Sequence, residues 1–160
     1  MAAPPKPKKT KFTFREGDWV SVPLRHGKRA LGVIARKAPG HVLVGYFFRW
    51  PDHDDDLEVY VARLKPSDAV LIVRFGDAGL THGTWKVVHS SGREGASHWP
   101  LPVFMDRNGV GPGATYTYDM DLFTPIPIVP REGDVITRDV GGWGAGAVED
   151  AVYDRLKNDS

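Results

Sequence analysis

Residues 52–58 read DHDDDLE: five carboxylates and one imidazole in seven positions, the densest group of chemically able side chains in the sequence. Carboxylate oxygens at this density suit a hard divalent cation. The spacing argues against that use. A calcium loop of the D-x-D-x-D-G kind needs a central glycine, which is missing here, and no second acidic cluster stands ready to complete a coordination shell. Two other readings stay open: a solvated acidic loop between two strands, or an acidic patch that faces a partner. Trp50 and Pro51 directly precede the acids, and an aromatic anchor ringed by charge is a common way to build a protein interface. The candidate partner-contact residues are therefore Trp50, Asp52, Asp54, Asp55, Asp56 and Glu58, with Phe47 and Phe48 as further anchors if they are exposed. No catalytic, cofactor-binding or metal-binding residue is assigned.

The six histidines, at 26, 41, 53, 82, 89 and 98, form no H-x-H or H-E-x-x-H pair with ligand spacing. His82, His89 and His98 lie near Ser90, Ser91 and Asp77, which together hold the ingredients of a Ser–His–Asp site. Any chain of this size offers such a selection, and the G-x-S-x-G elbow is missing. Two glycine-rich runs, GVGPG (109–113) and GGWGAG (141–146), lack the Lys-Ser/Thr or βαβ context of a phosphate cradle. They read as a loop and as the entry to a helix. The chain has no cysteine, hence no disulfide and no thiolate chemistry, which fits the cytoplasm.

A net charge of +1 hides an asymmetry. Lys6, Lys8, Lys9 and Lys11 fall in the first eleven residues, among prolines and without an acid; the remainder carries 17 basic against 20 acidic side chains, net −3. Residues 1–11 read as a disordered basic tail, and 12–160 as one domain. The acidic body argues against a phosphate backbone as partner, although Arg25, Lys28, Arg29, Arg36 and Lys37 make a local basic patch on one hairpin. The leading lysines have no apolar segment behind them, so they are not a secretory signal. No apolar run approaches the roughly 20 residues of a membrane span.

These side chains must be positioned by a mostly β fold. Eighteen Gly and thirteen Pro punctuate short runs rich in Val, Ile, Tyr, Phe and Trp. DWVSVPL (18–24), RALGVIARK (29–37) and HVLVGYFF (41–48) form a three-stranded meander, with Trp19 and Ser21 on one side of the first strand and Val20 and Val22 on the other. Gly32 and Gly45 inside strands mark bulges or bends. Further strands are expected at LEVYV (57–61), AVLIVRF (69–75), GTWKVV (83–88) and ATYTYDM (114–120), with TPIPIVP (124–130) as an extended edge or linker and not a central strand. GAVEDAVYDRLK (146–157) predicts a helix with Val148, Val152 and Leu156 on one stripe, capping the open end of the sheet. The expected class is mostly β (α+β): a strongly bent antiparallel sheet or SH3-like partial barrel with a C-terminal helix. The tetrapeptide REGD occurs twice, at 15–18 and 131–134, and the residues after the two copies differ at once. It reads as one turn used twice, not as a duplicated domain.

The run FREGDWVSVPLRHGKRALGVIARKAPGHVLVGYFF (14–48) resembles the opening of the immunity protein 26 family of bacterial polymorphic toxin systems. The likeness lies in the order of parts: an aromatic, a charged residue, GD, a short strand ending in PL, a loop glycine, a glycine-containing strand and a G-Y-F-F strand. GTWKVV (83–88), PLPVF (100–104) and GAVEDAVYDRL (146–156) resemble later segments of the family. The resemblance implies a mostly β, non-enzymatic, cytoplasmic antidote without cofactor, whose partner is a cognate toxin domain. Occlusion by the acidic 52–58 segment is the expected mechanism. The alternative is an SH3-like binding module for a peptide or nucleic acid.

Overall fold

The computed structural model describes residues 13–52, 56–106 and 115–158. Its centre is a six-stranded sheet built from β1 (Asp18–Pro23), β2 (Arg29–Lys37), β3 (Val42–Arg49), β4 (Leu71–Gly76), β5 (Lys86–Ser90) and the two-residue β10 (Gly142–Trp143). The strand order is β10-β4-β3-β2-β1-β5, antiparallel throughout except for the parallel β10–β4 pair. The sheet stays open, with β5 and β10 at its edges. The predicted meander is β1–β2–β3; a bulge near Ala35 breaks its β2–β3 register, and another at Trp19/Val20 interrupts the pairing of β1 with β5.

The central strands are apolar on both faces, so both faces need a cover. Along β2 and β3, alternate residues go to opposite sides. Leu31, Val33, Val44, Tyr46 and Phe48 join Trp19 in one core, while Ala30, Ile34, Leu43 and Phe47 join Val20 and Val22 in another. The first core is closed by α1 (Leu57–Arg63), by Trp99 after α3 (Gly92–Ala96), and by a second, four-stranded sheet. That sheet has the order β8-β7-β6-β9, from β6 (Val103–Met105), β7 (Thr115–Tyr118), β8 (Pro125–Pro127) and β9 (Ile136–Thr137). Trp99 wedges against Trp19, Tyr46 and Phe48 with ring centres 5.2–5.5 Å apart. The second core is closed by Leu80 of α2 (Ala78–Thr81), by Trp85, and by α4 (Ala145–Asn158).

The predicted C-terminal helix is α4, with Val148 and Val152 fully buried and Leu156 partly so. It lies over a face of the sheet and not at an open end, because the second apolar face is what its stripe can cover. Burial of each valine contributes about 1.5–3 kcal/mol, which docks a helix of 14 residues that would be marginal alone. A second correction concerns 57–61, expected as a strand and found as α1. Leu57, Tyr60, Val61 and Leu64 pack on the first core, whereas Val59, which period-two spacing would bury, is exposed. Asp56 caps the helix by accepting from the Glu58 N–H at 2.9 Å.

The glycines within strands have a steric reason. A Cβ at Gly32 would sit 2.8 Å from the Phe47 ring; one at Gly45 would meet Phe75 at 2.9 Å and Phe47 at 3.2 Å. Phe47 lies across both backbones, so the glycines mark close approach as well as the neighbouring bulge. The two REGD segments fold into the same turn. In each, the Asp N–H donates to the Arg carbonyl at 3.1 Å, and the Arg N–H donates to the Asp carboxylate, at 3.0 Å for Arg15–Asp18 and 2.7 Å for Arg131–Asp134. Gly17 and Gly133 take φ of +87° and +89°, the left-handed region that favours glycine.

The proline-rich 124–130 segment supplies β8, an edge strand as expected. The Ile128 N–H points inward to the Thr115 carbonyl at 3.2 Å. By alternation, Pro125 and Pro127 fall on the outward side, where they offer no N–H to an incoming strand.

Candidate functional site

Trp50 follows β3 directly and is half-buried against the first core. The guanidinium carbon of Arg29, at the start of β2, lies 3.8 Å from the centre of the indole ring. At this distance the cation meets the negative π face of the indole. The pairing of Ala30 with Arg49 across β2 and β3 sets the two chain ends side by side and so places Arg29 next to Trp50.

Beside the stack the surface sinks into a cleft of about 580 Å³. A tight turn at Arg25–Gly27, the ends of β2 and β3 and the last turn of α4 form its walls. Among the described residues, Lys28, Arg29, Arg49 and Lys157 line it with four cations, against the single carboxylate of Asp52. Trp50, Tyr153 and Leu156 supply apolar wall. The turn is fastened to α4. Arg25 donates to Asp150 at 2.9 Å, and its guanidinium carbon lies 5.4 Å from the Tyr153 ring centre. The ion pair is exposed on both sides and contributes ~0–1 kcal/mol, so it orients more than it stabilises. Arg49 reaches the Leu156 carbonyl at 3.5 Å, at the end of α4 where carbonyls lack helical partners. The phenol of Tyr60 donates to the Arg49 carbonyl at 2.8 Å.

The other predicted contact residues divide. Asp52, Asp56 and Glu58 are exposed. Asp54 and Asp55, like His53, lie outside the described residues. Asp56 has a structural task as the cap of α1, and Glu58 stands in the first turn of that helix, where the dipole favours a carboxylate. Phe47 and Phe48 are both 1% exposed, in opposite cores, so neither can anchor a partner.

The remaining candidate chemistry is dispersed by the fold. Asp77 pairs with His41, Nδ1 to Oδ2 at 2.9 Å. Ser90 donates to Asp18 at 2.7 Å, and Ser91 accepts from the Trp19 indole N–H at 3.0 Å. Ser90, Ser91 and Asp77 are thus engaged with Asp18, Trp19 and His41 and not with one another. Among the described residues no group of three or more His, Asp or Glu is placed to hold a metal ion. GVGPG lies outside the described residues. GGWGAG forms β10 and the entry to α4, with the Trp143 indole N–H donating to the Val140 carbonyl at 3.1 Å.

The basic hairpin patch also divides. Arg36 donates to the Ala35 and Trp99 carbonyls, and Lys37 to the Phe14 carbonyl. Arg25 pairs with Asp150, while Lys28 and Arg29 line the cleft, where topology adds Arg49 and Lys157. Sequence spacing had no means of joining residues 28, 49 and 157.

Comparison with known proteins bears on what this surface serves. The family model described as Immunity protein 26 matches residues 15–115, well over half of the chain. The match takes in β1 to β6, Trp50 and the acidic segment; β7 to β10 and α4 lie beyond all but its last residue. No curated protein and no solved structure matches. The chain belongs to the immunity protein 26 family.

Proposed function

From this membership we propose that the protein is a non-enzymatic, cytoplasmic immunity protein that binds a cognate toxin domain and blocks it by occlusion. The observation that carries the reading is the family match over 15–115. Among the described residues no helix is long and apolar enough to cross a membrane. The proposed contact is the segment that begins at Trp50 and carries Asp52, Asp54, Asp55, Asp56 and Glu58. Many toxin domains act on anionic substrates through basic clefts, and five acids on one short segment would be steered into such a cleft by charge.

Co-expression tests the reading. A candidate toxin domain, sought first in the reading frame beside this chain's gene, is expressed in a sensitive host with and without the protein. Restored growth and a stable co-purified complex are expected; toxicity unchanged at full expression of the protein would count against it. A mobility-shift assay addresses the alternative of a nucleic-acid-binding module. Salt-sensitive binding that survives deletion of residues 1–11 would favour that alternative.

A further inference from the structure

The cleft beside Trp50 carries the opposite sign to the acidic segment that starts at its rim. The body without its basic leader is net negative, yet among the described residues four of the five charged side chains lining this concavity are cationic. We propose that the cleft is a binding site for an acidic peptide segment of the protein partner, one that places carboxylates between Arg29, Arg49 and the two lysines and an apolar side chain against Trp50 and Tyr153. This rests on the immunity reading only in identifying the partner as a protein.

Three observations select that ligand. The first is preorganisation. The Arg29 guanidinium carbon sits over the Trp50 ring, 3.8 Å from its centre, so the contact restrains its fork of N–H donors before a ligand arrives, and such a fork matches a carboxylate through two parallel hydrogen bonds. Arg49 is similarly restrained by the Leu156 carbonyl. The second is the mixed wall. Trp50, Tyr153 and Leu156 give apolar surface beside the cations, and a volume of about 580 Å³ falls in the ordinary range for ligand sites. An acidic peptide offers both kinds of group. The third is the rim. Asp52 lines the cleft, and Asp54, Asp55, Asp56 and Glu58 come after it in sequence. A nucleic-acid strand in the cleft would set a phosphate against Asp52, whereas a peptide can change sign within one residue. The cleft therefore favours a partner segment whose carboxylates meet the cations and whose rim contact with Asp52 is not acidic.

The test is a titration of the ¹⁵N-labelled full chain, followed by NMR, with a pool of dodecapeptides that alternate Asp or Glu with Leu and Phe. Inorganic phosphate and an oligothymidylate form separate arms. The expected result is that the peptide pool moves the Trp50 indole N–H and the Arg29 side-chain N–H resonances. Affinity should fall about tenfold in Arg29→Gln and in the double variant Lys28→Glu/Lys157→Glu. All three positions are on the surface, and unchanged core resonances report that the variants are folded. No movement at Trp50 with millimolar peptide would overturn the proposal, as would equal affinity in both variants. Tighter or equal binding of the oligothymidylate or of phosphate at the same residues would overturn the choice of peptide. The outcome is separable from the immunity reading. Toxin protection lost with peptide binding intact counts against that reading alone, and protection retained with no peptide binding counts against the cleft alone.

Discussion

Arg155 grips Asp139 with both ends of its guanidinium, Nη1 to Oδ2 at 2.9 Å and Nη2 to Oδ1 at 2.6 Å. The same Nη1 donates to the Val70 carbonyl at 2.8 Å. One side chain thus ties α4 to the entry of β4 and to the loop behind β9. The hydrogen bonds to Asp139 raise the Arg155 pKa above its ordinary value, against the opposing effect of burial. Asp139 is 8% exposed, so removal of its partner leaves a carboxylate with little access to water. Arg155→Met should destabilise the fold by about 3 kcal/mol, the lower end for breaking a buried pair because Arg155 is itself partly exposed. Arg155→Met/Asp139→Leu should cost less than the single change, since no charge is then stranded. Denaturant unfolding of the three proteins decides this; a double variant less stable than the single one would refute it.

The Phe47 ring sets a second prediction. Gly32→Ala places a methyl group 2.8 Å from two ring carbons, closer than packed carbons tolerate, and both neighbours are in the interior. The expected cost is about 1–3 kcal/mol. The cost and the ring belong together. In a Phe47→Leu background, Gly32→Ala should add less than about 1 kcal/mol, and a double-mutant cycle measures the coupling. Equal costs in both backgrounds would mean that the glycine serves the backbone and not the ring.

These two contacts also show where sequence reasoning succeeds and where it stops. Gly32 and Gly45 announced an irregularity because a side-chain-free residue inside an apolar strand has few uses, but the rings that press closest on them, Phe47 of β3 on Gly32 and Phe75 of β4 on Gly45, come from neighbouring strands. The REGD turn was legible from four letters because every contact that defines it is local, within Arg15 to Asp18 and Arg131 to Asp134. The stripe of α4 was legible because three positions at helical spacing agree. LEVYVAR was misread because a seven-residue run satisfies alternation and helical spacing about equally. The cap at Asp56 was the signal that could have decided it. Trp50 and the acids were legible as a group from their density. The cationic cleft was not, because Arg29, Arg49 and Lys157 meet only through the β2–β3 pairing and the docking of α4.

The β7–β8 connection should respond to acid before the core does. Asp121 accepts from the Thr124 hydroxyl at 2.6 Å and from the Thr124 and Phe123 N–H groups at 2.9 Å. These bonds, the hydroxyl first, hold its pKa below the ordinary 3.8. The loop they close contains Leu122, buried and at φ +55°, a conformation that costs a leucine energy, with its carbonyl held by Arg74 at 2.8 Å. A depressed carboxyl pKa gives stability that is complete above the unfolded value and is lost as pH falls through the folded one. Between pH 5 and strongly acid solution, the Phe123 and Thr124 amide resonances should therefore titrate together, with a midpoint below about pH 3.8. Core resonances should hold until a lower pH. Asp121→Asn keeps an acceptor without the ionisable proton, so the joint titration should vanish. Its persistence in that variant would assign it to another group.

The acidic segment makes the last prediction, and α1 dictates how it must be tested. Reversal of all the acids would mix two effects, because Asp56 caps α1 through the Glu58 N–H and loss of a cap costs about 1 kcal/mol. The clean variant is Asp52→Lys/Asp54→Lys/Asp55→Lys/Asp56→Asn, which inverts the field and keeps a capping acceptor at 56. If these carboxylates steer the protein into a basic toxin cleft, the association rate with the cognate toxin domain should fall by about tenfold or more at low salt, and its dependence on ionic strength should flatten. The dissociation rate should change less, since long-range charge acts on encounter more than on the formed complex. Trp50→Ala should show the reverse division, a faster dissociation at a nearly unchanged association rate, because an aromatic anchor acts only after contact. Surface-plasmon measurements across a salt series separate the two. Association kinetics that ignore the charge inversion would remove the 52–58 segment from the interface and leave the contact to be sought elsewhere on the molecule.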